Sequence, residues 1–132
     1  ERGTDADVIT YSAAISASEK CQRWEWALEL FGESQERGLQ VDVITLNAAI
    51  SACEKGQQWL RALQLLQIVL QSRLEPTVVT YAGAVSACER HPRGELVLAL
   101  LGEMRQVDLE PNEIIYEKVL RSCFLRKHGE GM

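Results

Sequence analysis

Cys53, Cys88 and Cys123 stand 35 residues apart, with Cys21 outside the series. Thiols are the first groups in this chain that invite chemistry: disulfide exchange, metal ligation or nucleophilic attack. A zinc site needs four converging Cys or His ligands. No C-x-x-C pair occurs, and His91 and His128 are the only imidazoles, so no metal set assembles. Nucleophilic catalysis is equally unsupported, because no Ser, His and Asp stand in a triad context. A Gly-rich phosphate loop and an H-x-E with P-C-x-x-C are also absent from the sequence. These observations predict a protein that is not an enzyme and carries no cofactor, metal or small-molecule substrate. What the cysteine spacing means depends on the elements that carry it.

The spacing belongs to the whole chain. Val8-Ile9-Thr10-Tyr11-Ser12-Ala13-Ala14-Ile15-Ser16-Ala17 returns as Val43-Ile44-Thr45-Leu46-Asn47-Ala48-Ala49-Ile50-Ser51-Ala52, and again from Val78 to Ala87. Units therefore run over 8–42, 43–77 and 78–112, and half a unit over 113–132 opens with Ile114-Ile115-Tyr116. Residues 1–7 match 36–42, so the chain is expected to start inside an earlier unit.

Each unit carries two helical patterns. Along the first, Tyr11, Ala14, Ile15 and Ser18 form one apolar stripe. It is repeated by Leu46, Ala49, Ile50 and Cys53, by Tyr81, Ala84, Val85 and Cys88, and by Tyr116, Val119, Leu120 and Cys123. Along the second, Trp24, Ala27, Leu28 and Phe31 are matched by Trp59, Ala62, Leu63 and Leu66, then by Gly94, Val97, Leu98 and Leu101. Cys21-Gln22, Gly56-Gln57 and His91-Pro92 separate the two helices. Gly38 can take the left-handed conformation that ends a helix, and Pro76 and Pro111 stop the inter-unit segments from continuing one. Asp7, Asp42, Thr77 and Asn112 precede the four units and are all N-cap types. A helix pair cannot bury its own face, so stacked neighbours must supply the core. The expected fold is an all-α, right-handed solenoid of helix–turn–helix units with a 35-residue period. The half unit is expected to leave Val119 and Leu120 under-covered. Equivalent cysteines on stacked units should lie ~8–10 Å apart, beyond the ~7 Å that a disulfide tolerates. They are expected to be small buried residues.

Bulk properties agree. Of 132 residues 46% are apolar, enough for a core, and the net charge of −5 argues against a strongly basic nucleic-acid domain. No run reaches the roughly 18 apolar residues of a membrane span, and Glu1-Arg2-Gly3-Thr4-Asp5 lacks the apolar core of a targeting peptide. Arg121, Arg126, Lys127 and His128 form a small basic cluster, expected to be a solvated helix end.

The units, spelt V-I-T-Y-S-A-A-I-S-A and ending L-Q-V-D, L-E-P-T and L-E-P-N, resemble pentatricopeptide repeats over essentially the whole chain. Lys20, Lys55 and Arg90 occupy that family's Lys place, and Ala27 and Ala62 its Ala place. Departures stand at Ser34 and Val69 for the family Met, and at Arg73 and Asp108 for its terminal Gly. The resemblance implies binding of single-stranded RNA, one base per repeat. The reading pairs it implies are Ser12 with Asp42, Asn47 with Thr77, and Ala82 with Asn112, beside Ile9, Ile44 and Val79 packing on the base. Lys20, Lys55 and Arg90 would meet phosphates, although Glu19, Glu54 and Glu89 adjoin them. Ser12 with Asp42 would favour a purine, above all guanine; Asn47 with Thr77 leans to a pyrimidine; Ala82 offers no hydrogen bond. Helical spacing independently puts Ile9, Ser12, Ser16 and Glu19 on a stripe away from the core. The resemblance also implies a mitochondrion or plastid. The alternative is a scaffold docking protein subunits of an organellar assembly, ribosomal, respiratory or photosynthetic, without reading RNA.

Overall fold

The computed structural model describes residues 5–89 and 94–125. Among them are seven α-helices and a closing π-helical turn: α1 Asp5–Lys20, α2 Trp24–Glu36, α3 Val43–Lys55, α4 Trp59–Gln71, α5 Val78–Cys88, α6 Glu95–Gln106, α7 Glu113–Leu120 and the turn Arg121–Leu125. The first helices α3, α5 and α7 begin 35 residues apart. The architecture is the expected α-solenoid, and no helix among the described residues is long and apolar enough to cross a membrane.

Local chemistry sets the ends of the helices. Asp42, Thr77 and Asn112 cap α3, α5 and α7, each accepting from the backbone N–H three residues on, which stabilises a helix by about 1 kcal/mol. Asp7 departs from the series. It lies within α1, where its carboxylate sits 3.5 Å from the Arg37 guanidinium. Ala6 precedes it, a good helix former where Pro76 and Pro111 hold later segments extended. Four helices close through a left-handed residue: Gln22, Gln57 and Asp108 at φ 57°, 60° and 63°, and Gly38 at 73°. Unit two differs, since Arg73 stands in the Gly38 place and α4 ends instead on extended Ser72.

The core runs between the helix layers. Ile15, Ala27, Phe31, Leu46, Ala49, Ile50, Cys53, Ala62 and Val69 pack as one cluster, and Tyr81, Ala84, Val85, Cys88, Val97, Leu100, Met104 and Ile115 as the next. Trp59 packs against both clusters. Burying an Ile or Leu there stabilises by about 1.5–3 kcal/mol, and the first-helix stripe of units two and three is enclosed as the spacing predicts. Leu120 is 50% exposed, as expected of the half unit, and two positions depart from the pattern: Tyr116 is 42% exposed, because α7 lacks a paired second helix among the described residues, and on α6 Leu98 is exposed while Leu100 takes the inner place.

Close approach between units depends on residues without side chains. A Cβ on Gly56 would stand 2.2 Å from Trp24 Cδ1, and one on Gly83 would stand 2.9 Å from Ile50 Cγ2. Trp24 is itself covered by the Arg61 guanidinium, 5.0 Å from its ring. Charged staples add to this. Glu19 of unit one bonds to Lys55 Nζ and accepts from Ser51 Oγ at 3.2 Å in unit two. Glu89 of unit three takes Lys118 at 3.3 Å and Arg121 at 2.6 Å beyond it. The Lys55 hydrogen bond, helped by its charge and by Ser51, holds the Glu19 carboxyl below its ordinary range against the opposing effect of burial.

Two outcomes follow for stability. Gly56→Ala displaces the indole and should destabilise by about 1–3 kcal/mol, whereas Gly32→Ala on α2, whose Cβ would meet nothing within 4 Å, should stabilise by about 0.5–1 kcal/mol; urea unfolding of both decides. Because folding lowers the Glu19 pKa, its contribution is present above the unfolded value of about 4.3 and is lost as pH falls through the folded one. Glu19→Gln should therefore lower the urea midpoint at pH 7, by an amount corresponding to about 0.2–1 kcal/mol, with the gap narrowing as pH falls below the unfolded value. A gap unchanged at pH 3 would show that the staple carries no linked stability.

Candidate nucleic-acid interface

The first helices present a second face to solvent. At its edge stands a β-branched row: Ile9, Ile44, Val79 and Ile114, exposed by 67%, 71%, 64% and 56%. Each is the second residue of its unit, so the 35-residue step makes the row regular. Beside it lie Ser12, Asn47 and Ala82, all half-buried. An apolar edge next to small polar groups suits a flat, hydrogen-bonding ligand.

The polar partners come from the next unit's cap. Asp42 Oδ1 accepts from Thr45 N at 2.9 Å and from Thr45 Oγ1 at 2.8 Å. Asn112 Oδ1 accepts from Ile115 N at 2.9 Å. Thr77 takes part in a capping box, its N–H donating to Thr80 Oγ1 at 3.0 Å and its Oγ1 accepting from Thr80 N at 3.4 Å. Of the three sequence-derived pairs, the second is in hydrogen-bond contact: Asn47 Nδ2 lies 3.5 Å from Thr77 Oγ1. Capping engages one carboxylate oxygen of Asp42, and the residue is exposed.

The cationic row is less open than its spelling suggests. Lys20 is exposed, whereas Lys55 Nζ is engaged by Glu19; Arg90 lies outside the described residues, as do His91, Pro92, Arg126, Lys127 and His128. Arg121 is held by Glu89 instead of being only a solvated helix end. The cysteine row is structural. Cys53 and Cys88 are buried, Cys123 is half-buried and Cys21 exposed, all as free thiols. Burial pushes the Cys53 and Cys88 thiols up to about 11, which keeps them protonated and unreactive at neutral pH. Among the described residues no group of His, Cys, Asp or Glu converges as a metal site.

Two further residues contribute to this face. Thr45 and Thr80, the third residues of their units, are buried and bond to Asp42 and to Asn47 and Thr77. The signal was present: a hydroxyl three residues after a cap is capping-box spacing.

Comparison with known proteins places this geometry. The pentatricopeptide repeat domain matches residues 29–91, and the PPR repeat matches residues 9–39. Among curated proteins none matches the chain. Among solved structures, the pentatricopeptide repeat protein PPR10 from maize superposes with a TM-score of 0.78 at 22% identity, covering 86% of this chain and 16% of that one. PPR10 in complex with an 18-nt psaJ RNA element gives 0.76 at 25% identity, over 87% and 17% of the two chains. This chain thus spans about a sixth of the length of those proteins. With family matches that together run from 9 to 91, and a repeat carried in register through every described unit, the chain belongs to the pentatricopeptide repeat family.

Proposed function

We propose that the chain binds single-stranded RNA along the exposed face of its first helices, one base per unit, as a binding module without a catalytic step. The proposed units are 8–42, 43–77 and 78–112, with 113–132 as a half unit. The row of exposed Ile9, Ile44, Val79 and Ile114 carries the reading. A soluble face rarely repeats a bare β-branched residue in every unit unless something flat covers it. PPR10, of similar fold, is found in complex with RNA. Ser12 with Asp42 would read a purine, because a carboxylate oxygen left over from capping accepts the paired donors of guanine. Asn47 with Thr77 would take a pyrimidine, and Ala82 with Asn112 would discriminate weakly. Family habit supports a mitochondrion or plastid as the place of action.

A second reading has its own support. Ile114, Tyr116 and Leu120 leave an apolar face on α7, and Glu19 already occupies Lys55. Both suit docking onto a protein subunit of a larger organellar assembly.

Salt separates the two readings. Three phosphate contacts from Lys20, Lys55 and Arg90 give a slope of about −2 in log affinity against log salt, and less while Glu19 holds Lys55. Labelled RNA pools titrated at low and moderate salt should show that slope, and Asn47→Ala with Thr77→Ala should change the bound sequences. Absence of binding at low salt would sink the RNA reading in favour of docking.

A further inference from the structure

Successive units meet at three joints of equal chain length, since α2, α4 and α6 each end seven residues before the next first helix begins. The two outer connectors are fastened alike. Gly38 and Asp108 take left-handed φ of 73° and 63°. Leu39 N and Leu109 N then donate back to Ser34 O and Met104 O at 2.9 Å, the six-to-one bond of a closed helix end. The middle connector is fastened differently. Ser72 is extended, its hydroxyl donates to Val69 O at 2.9 Å, and Leu74 N reaches that hydroxyl at 3.4 Å. Arg73 stands in the place of Gly38 and Asp108, and lacks the ease with which Gly and Asp enter the left-handed region.

The charged staples follow the same division. Glu19 holds Lys55 across the first joint, and Glu89 holds Lys118 and Arg121 across the third. Glu54 has the same place at the middle joint, but α5 carries no charged residue. Gly83 and Ser86 stand there where Lys118 and Arg121 stand one unit on. The core divides here too. α4 sends Leu65 and Val69 into the first cluster and Leu66 into the second, Trp59 touches both, and of α5 Ala87 alone joins the first. What fastens the middle joint lies on the first helices. Thr80 Oγ1 donates to Asn47 Oδ1 at 2.6 Å, and Gly83 brings α5 close against Ile50.

We propose that the middle joint is a hinge. The α3–α5 seam is its pivot, and α6 swings relative to α4. Units one and two move as one body, and unit three with α7 as the other. A hinge needs a few residues at element ends that absorb the change in backbone angles, and the segment from Ser72 to Thr77 supplies them. The curvature of the solenoid then adjusts at one place, with neither core cluster broken. The hinge does not depend on the RNA reading.

The test places nitroxide pairs at equivalent exposed positions of the second helices in the full chain, with Cys21→Ser and Cys123→Ser removing the accessible thiols. Glu29→Cys with Gln64→Cys spans the first joint, and Gln64→Cys with Ala99→Cys spans the middle one. Electron spin resonance of frozen samples gives the spread of each distance, and the middle pair should spread about twice as widely as the first. Arg73→Gly, which admits the closure seen at Gly38, should narrow the middle pair to the width of the first. Glu54→Gln should leave the middle pair as it is. Amide exchange in the unsubstituted chain is a second readout: Leu74 N–H should exchange about tenfold faster than Leu39 and Leu109. Equal spreads at the two joints, a middle pair that Arg73→Gly does not narrow, or equal protection of the three amides overturns the hinge. Widening of the middle pair by Glu54→Gln also overturns it, because that joint would then be stapled like the others.

Discussion

Everything in this molecule depends on the inability of one helix pair to bury its own apolar face. Tyr81 is enclosed at 1% exposure where α6 covers it, and Tyr116, in the same place on α7, is 42% exposed. The chemistry of the two residues is identical, so the neighbour makes the difference. Stacking demands a close and repeatable step, and Gly56 against Trp24 and Gly83 against Ile50 let it be close. Once the step is set, equivalent positions take the same place in every unit, and rows appear without being specified one by one.

The cap residue links stability with the candidate site. Asp42, Thr77 and Asn112 satisfy the free N–H groups that every helix start leaves, and the same side chains stand last in their units, beside the fifth residue of the first helix. Capping and ligand contact are not exclusive. A carboxylate has two oxygens and capping engages Asp42 Oδ1, while Thr77 Oγ1 accepts in the capping box and also lies 3.5 Å from Asn47 Nδ2. Anchoring by the backbone removes rotamer freedom from these side chains, so under the proposed RNA reading capping would pre-organise them.

Charge follows a similar economy. The chain is acidic overall, yet Glu19 and Glu89 do not lie idle on the surface; each reaches into the following unit and holds a cation there. Partial burial of these pairs makes them less sensitive to salt than exposed ones. For a polyanionic ligand Lys55 and Arg121 would already be compensated, which under the proposed reading would move the balance of recognition from phosphates toward base edges and the apolar row.

The period, the two helices per unit, the caps at Asp42, Thr77 and Asn112, the left-handed Gly38 and the burial of Cys53 and Cys88 were all legible in the residues. Each rests on short-range rules: helical spacing, cap chemistry and the backbone freedom of glycine. The exposed row at Ile9, Ile44 and Val79 was legible too, because a fixed period repeats a fixed angle. Other features needed the third dimension. Gln22, Gln57 and Asp108 take positive φ without being glycine, since six-to-one turn bonds such as Gln58 N to Cys53 O at 2.8 Å offset the local strain. Asp7 entered α1 instead of capping it. The engagement of Lys55 by Glu19, and of Asn47 by Thr80, joins residues 36 and 33 positions apart. Sequence alone determines which groups recur; stacking decides which of them meet, because a hydrogen bond depends on tenths of an ångström that only the packed step between units sets.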